Sequence, residues 1–279
     1  MQNCLGRLRS VIALLVLAIG LNGCSKSEPE KGKGAAPAAS NTAKQVTTIG
    51  LYRPSKATFY LHTSNMPGNP EIAVAFGPTG DIPLSGDWNG DSITTIGLYR
   101  PGEGAFYLRN SNSPGDAEAP IPFGQKGFVP VVGDWDGNGT VTIGVFDPNA
   151  AIFYLRNSNS AGNADITVAY GVKGDVPLAG DWDGDGTMTI GVYRPSESIF
   201  YLRNKNASGP ADITVPFGAK GDIPVVGDWD GDGIVTVGVY RPSDSTFYLR
   251  NSNAPGNADY YVPFGMTGDL PVVGKWGKL

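Results

Sequence analysis

The chain has 279 residues, is 41% hydrophobic and 17% charged and carries a net charge of −5, a composition that excludes a disordered chain and leaves ample apolar content for a core. Its 40 glycines, 22 prolines and 10% aromatics favour short strands and tight turns over long helices. The acidic balance argues against nucleic acid as a partner, and the only cysteines, Cys4 and Cys24, lie too near the N-terminus to brace the body with a disulfide.

In chain order, Arg7 and Arg9 precede an apolar run, VIALLVLAIGL, at 11–21, and Asn22-Gly23-Cys24 follows it. A run this short matches a signal-peptide core and falls below the ~20 residues needed to span a bilayer. Leu21-Asn22-Gly23-Cys24 resembles the lipobox of bacterial lipoproteins. That resemblance implies that residues 1–23 are removed, that Cys24 is lipidated and that the mature chain is held at a membrane. Ser25 after the cysteine implies the outer membrane where the cell has one. Residues 24–44 hold no aromatic and, Cys24 and two prolines apart, no apolar side chain larger than Ala, so they read as a flexible tether with a reach on the order of 25 Å.

From residue 45 onward the chain repeats. Ile-Gly recurs at 49/50, 96/97, 143/144 and 190/191, Val237-Gly238 makes the fifth copy, and Trp88, Trp135, Trp182, Trp229 and Trp276 keep the same step of 47. Each unit holds four short apolar runs separated by turn residues, as in VPLAGDW (176–182), TMTIGVYRP (187–195), IFYLRN (199–204) and DITV (212–215). Four strands per 47 residues, five times over, predict an all-β, five-bladed β-propeller over 45–279. The first unit opens on a second strand and the last ends on a first strand. The expectation is therefore that Val272–Trp276 pairs beside Thr48–Tyr52 and closes the ring without a free edge.

After each of the first four tryptophan strands comes an acidic loop. The oxygen-bearing positions are Asp87, Asn89 and Asp91; Asp134, Asp136 and Asn138; Asp181, Asp183 and Asp185; and Asp228, Asp230 and Asp232. Oxygen ligands at alternate positions with Gly at the bend are what a hard cation such as calcium needs. The same residues also brace ordinary hairpin turns, and both readings stand at this point. The combination G-D-W-D-G-D-G, T-I-G-V-Y-R-P and G-D-x-P resembles the FG-GAP/VCBS family of calcium-binding, integrin-alpha-like propeller repeats across the whole repeat region. The resemblance implies calcium in these loops, and a further acid three residues after the Gly. Here that position holds Thr95, Thr142, Thr189 and Thr236, and the twelfth holds Leu98, Val145, Val192 and Val239. Affinity is then expected near the weak, ~10⁻⁴–10⁻³ M end of the calcium range. The fifth loop, Lys275-Trp276-Gly277-Lys278, has no carboxylate, so four sites are the upper limit.

No catalytic residue is expected. The one histidine, His62, stands where the sister units carry Arg109, Arg156, Arg203 and Arg250 and reads as a surface substitution. A mature chain with no second histidine to partner it is a poor candidate for a nucleophilic triad or a zinc site. Carboxylates repeated at the same place in unit after unit suit structure or metal better than a unique active site. The tryptophans and the Phe-Tyr-Leu triplets are expected to fill the space between blades rather than to stack on sugars. The Arg-Pro pairs at 53, 100, 194 and 241 are expected to end a strand and bridge to acids, a pattern that Asp147 and Phe128 break in the third unit. These features together predict a membrane-anchored binding or adhesion module whose partner is a protein or glycan of the cell envelope. The alternatives are an envelope-assembly scaffold or a five-bladed lectin.

Overall fold

A computed structural model describes residues 45–277. Twenty strands form five four-stranded antiparallel sheets, and among the described residues the one helical element is a 3₁₀ turn at Pro54–Lys56. Blade I is β20 (Leu270–Gly274), β1 (Thr48–Arg53), β2 (Thr58–Leu61) and β3 (Ile72–Ala75). Blade II is β4 (Ile82–Gly86), β5 (Thr95–Arg100), β6 (Ala105–Leu108) and β7 (Ile121–Pro122). Blade III is β8 (Val129–Gly133), β9 (Thr142–Asp147), β10 (Ile152–Leu155) and β11 (Ile166–Ala169). Blade IV is β12 (Val176–Gly180), β13 (Thr189–Arg194), β14 (Ile199–Leu202) and β15 (Ile213–Pro216). Blade V is β16 (Ile223–Gly227), β17 (Thr236–Arg241), β18 (Thr246–Leu249) and β19 (Tyr260–Pro263).

The first strands β4, β8, β12, β16 and β20 neighbour one another in a closed ring, so the molecule is a five-bladed β-propeller. Closure follows the expected route: β20 pairs antiparallel with β1, from Thr48 opposite Gly274 to Tyr52 opposite Leu270. The closing strand lies two residues earlier than Val272–Trp276, because Trp276 leaves the sheet and its indole Nε1 donates to the Ile49 carbonyl at 3.3 Å.

The second strands are buried on both faces, which is why they read as unbroken apolar runs such as TIGVYR. Their side chains alternate between two neighbours. Tyr52 joins a cluster with Ile96 and Leu98 of blade II, whereas Ile49 and Leu51 join Trp229 and Phe247 of blade V. Five such clusters fill the five interfaces, and each contains one tryptophan. The tryptophans are only 3–6% exposed, which places them in the core as expected. Every indole lies over the glycine that ends its first strand, and in blades I, II and IV over the second-strand glycine as well: a Cβ on Gly86 would come within 2.6 Å of Trp88, and one on Gly97 within 3.1 Å. In those three blades the Ile-Gly pair is therefore the floor on which the tryptophan of the same blade packs.

Candidate functional site: the aspartate loops at the channel mouth

The five first strands enclose a central cavity of about 770 Å³. Its wall is apolar and repeats with the blades, one proline from each (Pro83, Pro130, Pro177, Pro224 and Pro271) followed by Val, Leu or Ala. One mouth carries Asp87, Asp228 and Lys275. The loops from first to second strand ring this mouth, and each is tied to the next blade by a backbone hydrogen bond. Val141 N donates to Asp87 O, Met188 N to Asp134 O, Val235 N to Asp181 O, Thr47 N to Asp228 O and Thr94 N to Lys275 O, all at 2.7–2.8 Å. An asparagine from the loop between third and fourth strands pins the same residue from outside, as Asn112 Nδ2 does at 2.8 Å from Thr94 O and Asn159 Nδ2 at 2.9 Å from Val141 O.

Within the loops the first aspartate holds the turn. Asp181 Oδ1 accepts from Gly184 N (2.8 Å) and Asp185 N (3.0 Å), and its Oδ2 from Gly186 N (2.8 Å). Gly184 and Gly186, at φ 74° and 91°, rotate those N–H groups inward. Asp87 repeats the pattern with Gly90, Asp91 and Ser92, and Asp134 with Asn138 and Gly139. Burial pushes the Asp181 carboxyl up, against the opposing pull of its three N–H donors.

The structure brings together the carboxylates of Asp181, Asp183 and Asp185 within 4.8 Å of one another, and likewise those of Asp228, Asp230 and Asp232. Asp228 is 5% exposed, and its Oδ1 is buried with no hydrogen-bond partner. Lys275 from the fifth loop reaches to 3.7 Å from its Oδ2, a neighbour that the linear sequence hides because 47 residues separate the two. In the first loop the Asn89 amide donates to Asp91 Oδ2 at 3.1 Å. Thr95, Thr189 and Thr236 are turned away from the loops. They are 5–6% exposed, and their hydroxyls donate to the carbonyls of Arg109, Arg203 and Arg250 at 2.6–2.7 Å. Leu98, Val145, Val192 and Val239 are likewise core residues. Cys24 lies outside the described residues, among which no helix is long and apolar enough to cross a membrane.

On the turns between second and third strands, the Arg-Pro pairs do end strands and bridge to acids. Arg53 meets Asp269 through two 2.8 Å bonds, Arg241 meets Asp222 likewise, and Arg194–Asp175 and Arg100–Asp81 repeat the pair. Each of these arginines also lies over a tyrosine ring, Tyr60, Tyr107, Tyr201 or Tyr248, at 4.2–4.6 Å. Blade III replaces the whole device. Phe128 stacks on Tyr154 at 5.8 Å with planes 7° apart, and Asp147 turns back to accept from Asn149 N and Ala150 N.

The surface expectation for His62 is wrong. His62 is 3% exposed, with Nδ1 3.1 Å from Glu71 Oε2 and its ring edge-on to Phe264. Its sister arginines fold under the loop between third and fourth strands, Arg109 Nη1 donating to Asp116 O and Arg250 Nη1 to Asn257 O. The loop that covers the arginines covers the shorter histidine too. Two cavities between blades are marked in the sequence only by Ala75 and Ala169, at a position held by proline in the other units.

Fold and loops together define a five-bladed β-propeller of 47-residue repeats with an acidic ring at one channel mouth. No protein-family model matches the sequence, and no curated protein matches it as a relative.

Proposed function

We propose that the protein is an extracytoplasmic binding module of the calcium-loop propeller type, similar to FG-GAP/VCBS repeats, held at the cell envelope through lipidated Cys24. The observation that carries the metal part is the convergence of three carboxylates within 4.8 Å in each of two loops, one of them with a buried, unpartnered oxygen on Asp228. Lys275, 3.7 Å from Asp228 Oδ2, balances only part of the charge of the second cluster, and a hard cation would balance the rest and satisfy the free Oδ1. Asp181, Asp183 and Asp185 would hold one ion, and Asp228, Asp230 and Asp232 a second. The Asn89 and Asn138 loops have one carboxylate fewer and would bind more weakly. Bound cations would stiffen the ring of loops that presents the channel mouth to a protein or glycan. The recurrence of the same acids from blade to blade supports a binding scaffold over an enzyme.

Thermal unfolding of the full chain with millimolar calcium and then with excess chelator tests this, because a ligand held only by the folded state raises its stability. The expected outcome is an upward shift of several degrees at several millimolar calcium, where linkage at a Kd of ~10⁻⁴–10⁻³ M gives about 1–2 kcal/mol per site. The shift should fall by roughly half in an Asp183→Ala, Asp185→Ala variant if the two sites contribute equally. An unchanged midpoint at several millimolar calcium would leave the aspartates as turn braces only.

A further inference from the structure

Two cavities open in the clefts between blades, of about 390 Å³ between I and II and about 340 Å³ between III and IV. They occupy equivalent places. Ala75 and Ala169, the last residues of β3 and β11, form one wall, and the Arg100–Tyr107 and Arg194–Tyr201 stacks line the other. The remaining blades carry Pro122, Pro216 and Pro263 at the alanine position, with a pyrrolidine ring where these two have a methyl.

The cavity between blades III and IV has a feature that its twin lacks. Tyr170 lines it, where the other four units have Phe76, Phe123, Phe217 and Phe264. Tyr170 is 9% exposed, and its hydroxyl is buried with no hydrogen-bond partner. The hydroxyls of Tyr99, Tyr193 and Tyr240 are also unpartnered, but these recur at one position of the second strand and belong to the repeat. The Tyr170 hydroxyl belongs to this blade alone. Burial pushes its pKa up to about 12, so it is a neutral donor at physiological pH.

The rest of the wall narrows the ligand class. Arg194 is already matched by Asp175 at 2.9 Å and Glu197 at 3.5 Å, and Tyr201 Oη donates to Glu197 at 2.6 Å, so the site has no surplus positive charge for an anion. Ala151, Ala169 and Val192 offer methyl surface. The volume is at the small end for ligand pockets, enough for one ring and its substituents. We propose that the cleft between blades III and IV binds a single neutral, acetamido-bearing sugar residue, Tyr170 donating to the amide carbonyl and the alanine methyls packing on the acetyl methyl. This deepens the binding-module reading above and rests on it, but it does not require calcium.

Titration of the full chain with N-acetylglucosamine, followed by calorimetry or ligand-observed NMR, tests the site. The expected result is saturation at one equivalent, weakened about tenfold or more in Tyr170→Phe, since a site built to hydrogen-bond its ligand loses heavily when the bond is removed. Ala169→Pro should abolish binding, Ala75→Pro should leave it unchanged, and glucose, which lacks the acetamido group, should not compete. The substitutions import residues that sister blades carry at the same positions, and their unfolding curves verify that the fold is kept. Absence of saturation by the wild type, or equal binding by Tyr170→Phe, overturns the proposal. Sugar saturation without a calcium shift would defeat the metal reading alone, and a calcium shift without saturation would defeat this one alone.

Discussion

Phe128 and Asp147 show that one position in a blade can be solved in two ways, provided that both partners change together. In four blades a nearly buried aspartate meets an arginine that also covers a tyrosine ring, and in blade III an aromatic ring covers that tyrosine instead. Removing the aspartate leaves its arginine unmatched, at a cost below the ~3–5 kcal/mol of a fully buried pair because the Arg241 side chain is 29% exposed to water. Asp222→Phe alone should therefore lower the denaturant midpoint sharply, and adding Arg241→Asp should recover a large part of the loss, as read from urea unfolding of the two variants. A double variant no better than the single one would show that blade III depends on more than these two residues. Linear sequence exposed the anomaly at 128 and 147 but gave no hint of its coupling, because the tyrosine that connects them lies on a third strand. It misplaced His62 for a similar reason, since burial there is decided by a loop folding back over the strand end.

At the scale of the strand, the period of 47 made the architecture readable. Five copies of an Ile-Gly or Val-Gly pair and a Trp made strand order, the direction of closure and the aromatic filling of the interfaces legible, because any misreading in one unit is corrected by four others. Edge strands were less legible. β7 shrinks to Ile121–Pro122, with Pro120 and Pro122 removing donors from its ladder, whereas β3 and β11 run proline-free for four residues each. Proline ends β7, β15 and β19 where β3 and β11 end on the alanines that line the two cavities, a difference of one side chain per blade. Closure itself depends on β20, the strand that brings the end of the chain back into the first blade. Removing residues 270–279 should leave β1 and the Leu51 face uncovered and abolish the cooperative unfolding transition. A truncated chain that still melts as one sharp transition would mean that four complete blades suffice.

The whole molecule has five-fold regularity in its backbone and broken symmetry in its chemistry: four acidic loops and one lysine loop, four arginine stacks and one phenylalanine stack, two open clefts and three with proline at the wall. The regular part predicts a common response to alkali. Burial raises the phenols of Tyr52, Tyr99, Tyr193 and Tyr240 above their ordinary value of 10.0, and that of Tyr170 to about 12. The unfolded chain sheds these protons first, so their contribution is intact below pH 10 and is lost as pH rises through the elevated values. Denaturant midpoints should hold steady from pH 8 to 10 and then drop, and the drop should be shallower in Tyr170→Phe. The placement of β1 between β20 and β2 has a mechanical consequence. Tension arriving along the chain at Gln45 enters a strand clamped by ladders on both sides, pulling it lengthwise so that its pairings bear the load together instead of opening one at a time. The rate of unfolding, rather than its equilibrium, would then set how long the ring survives under pull.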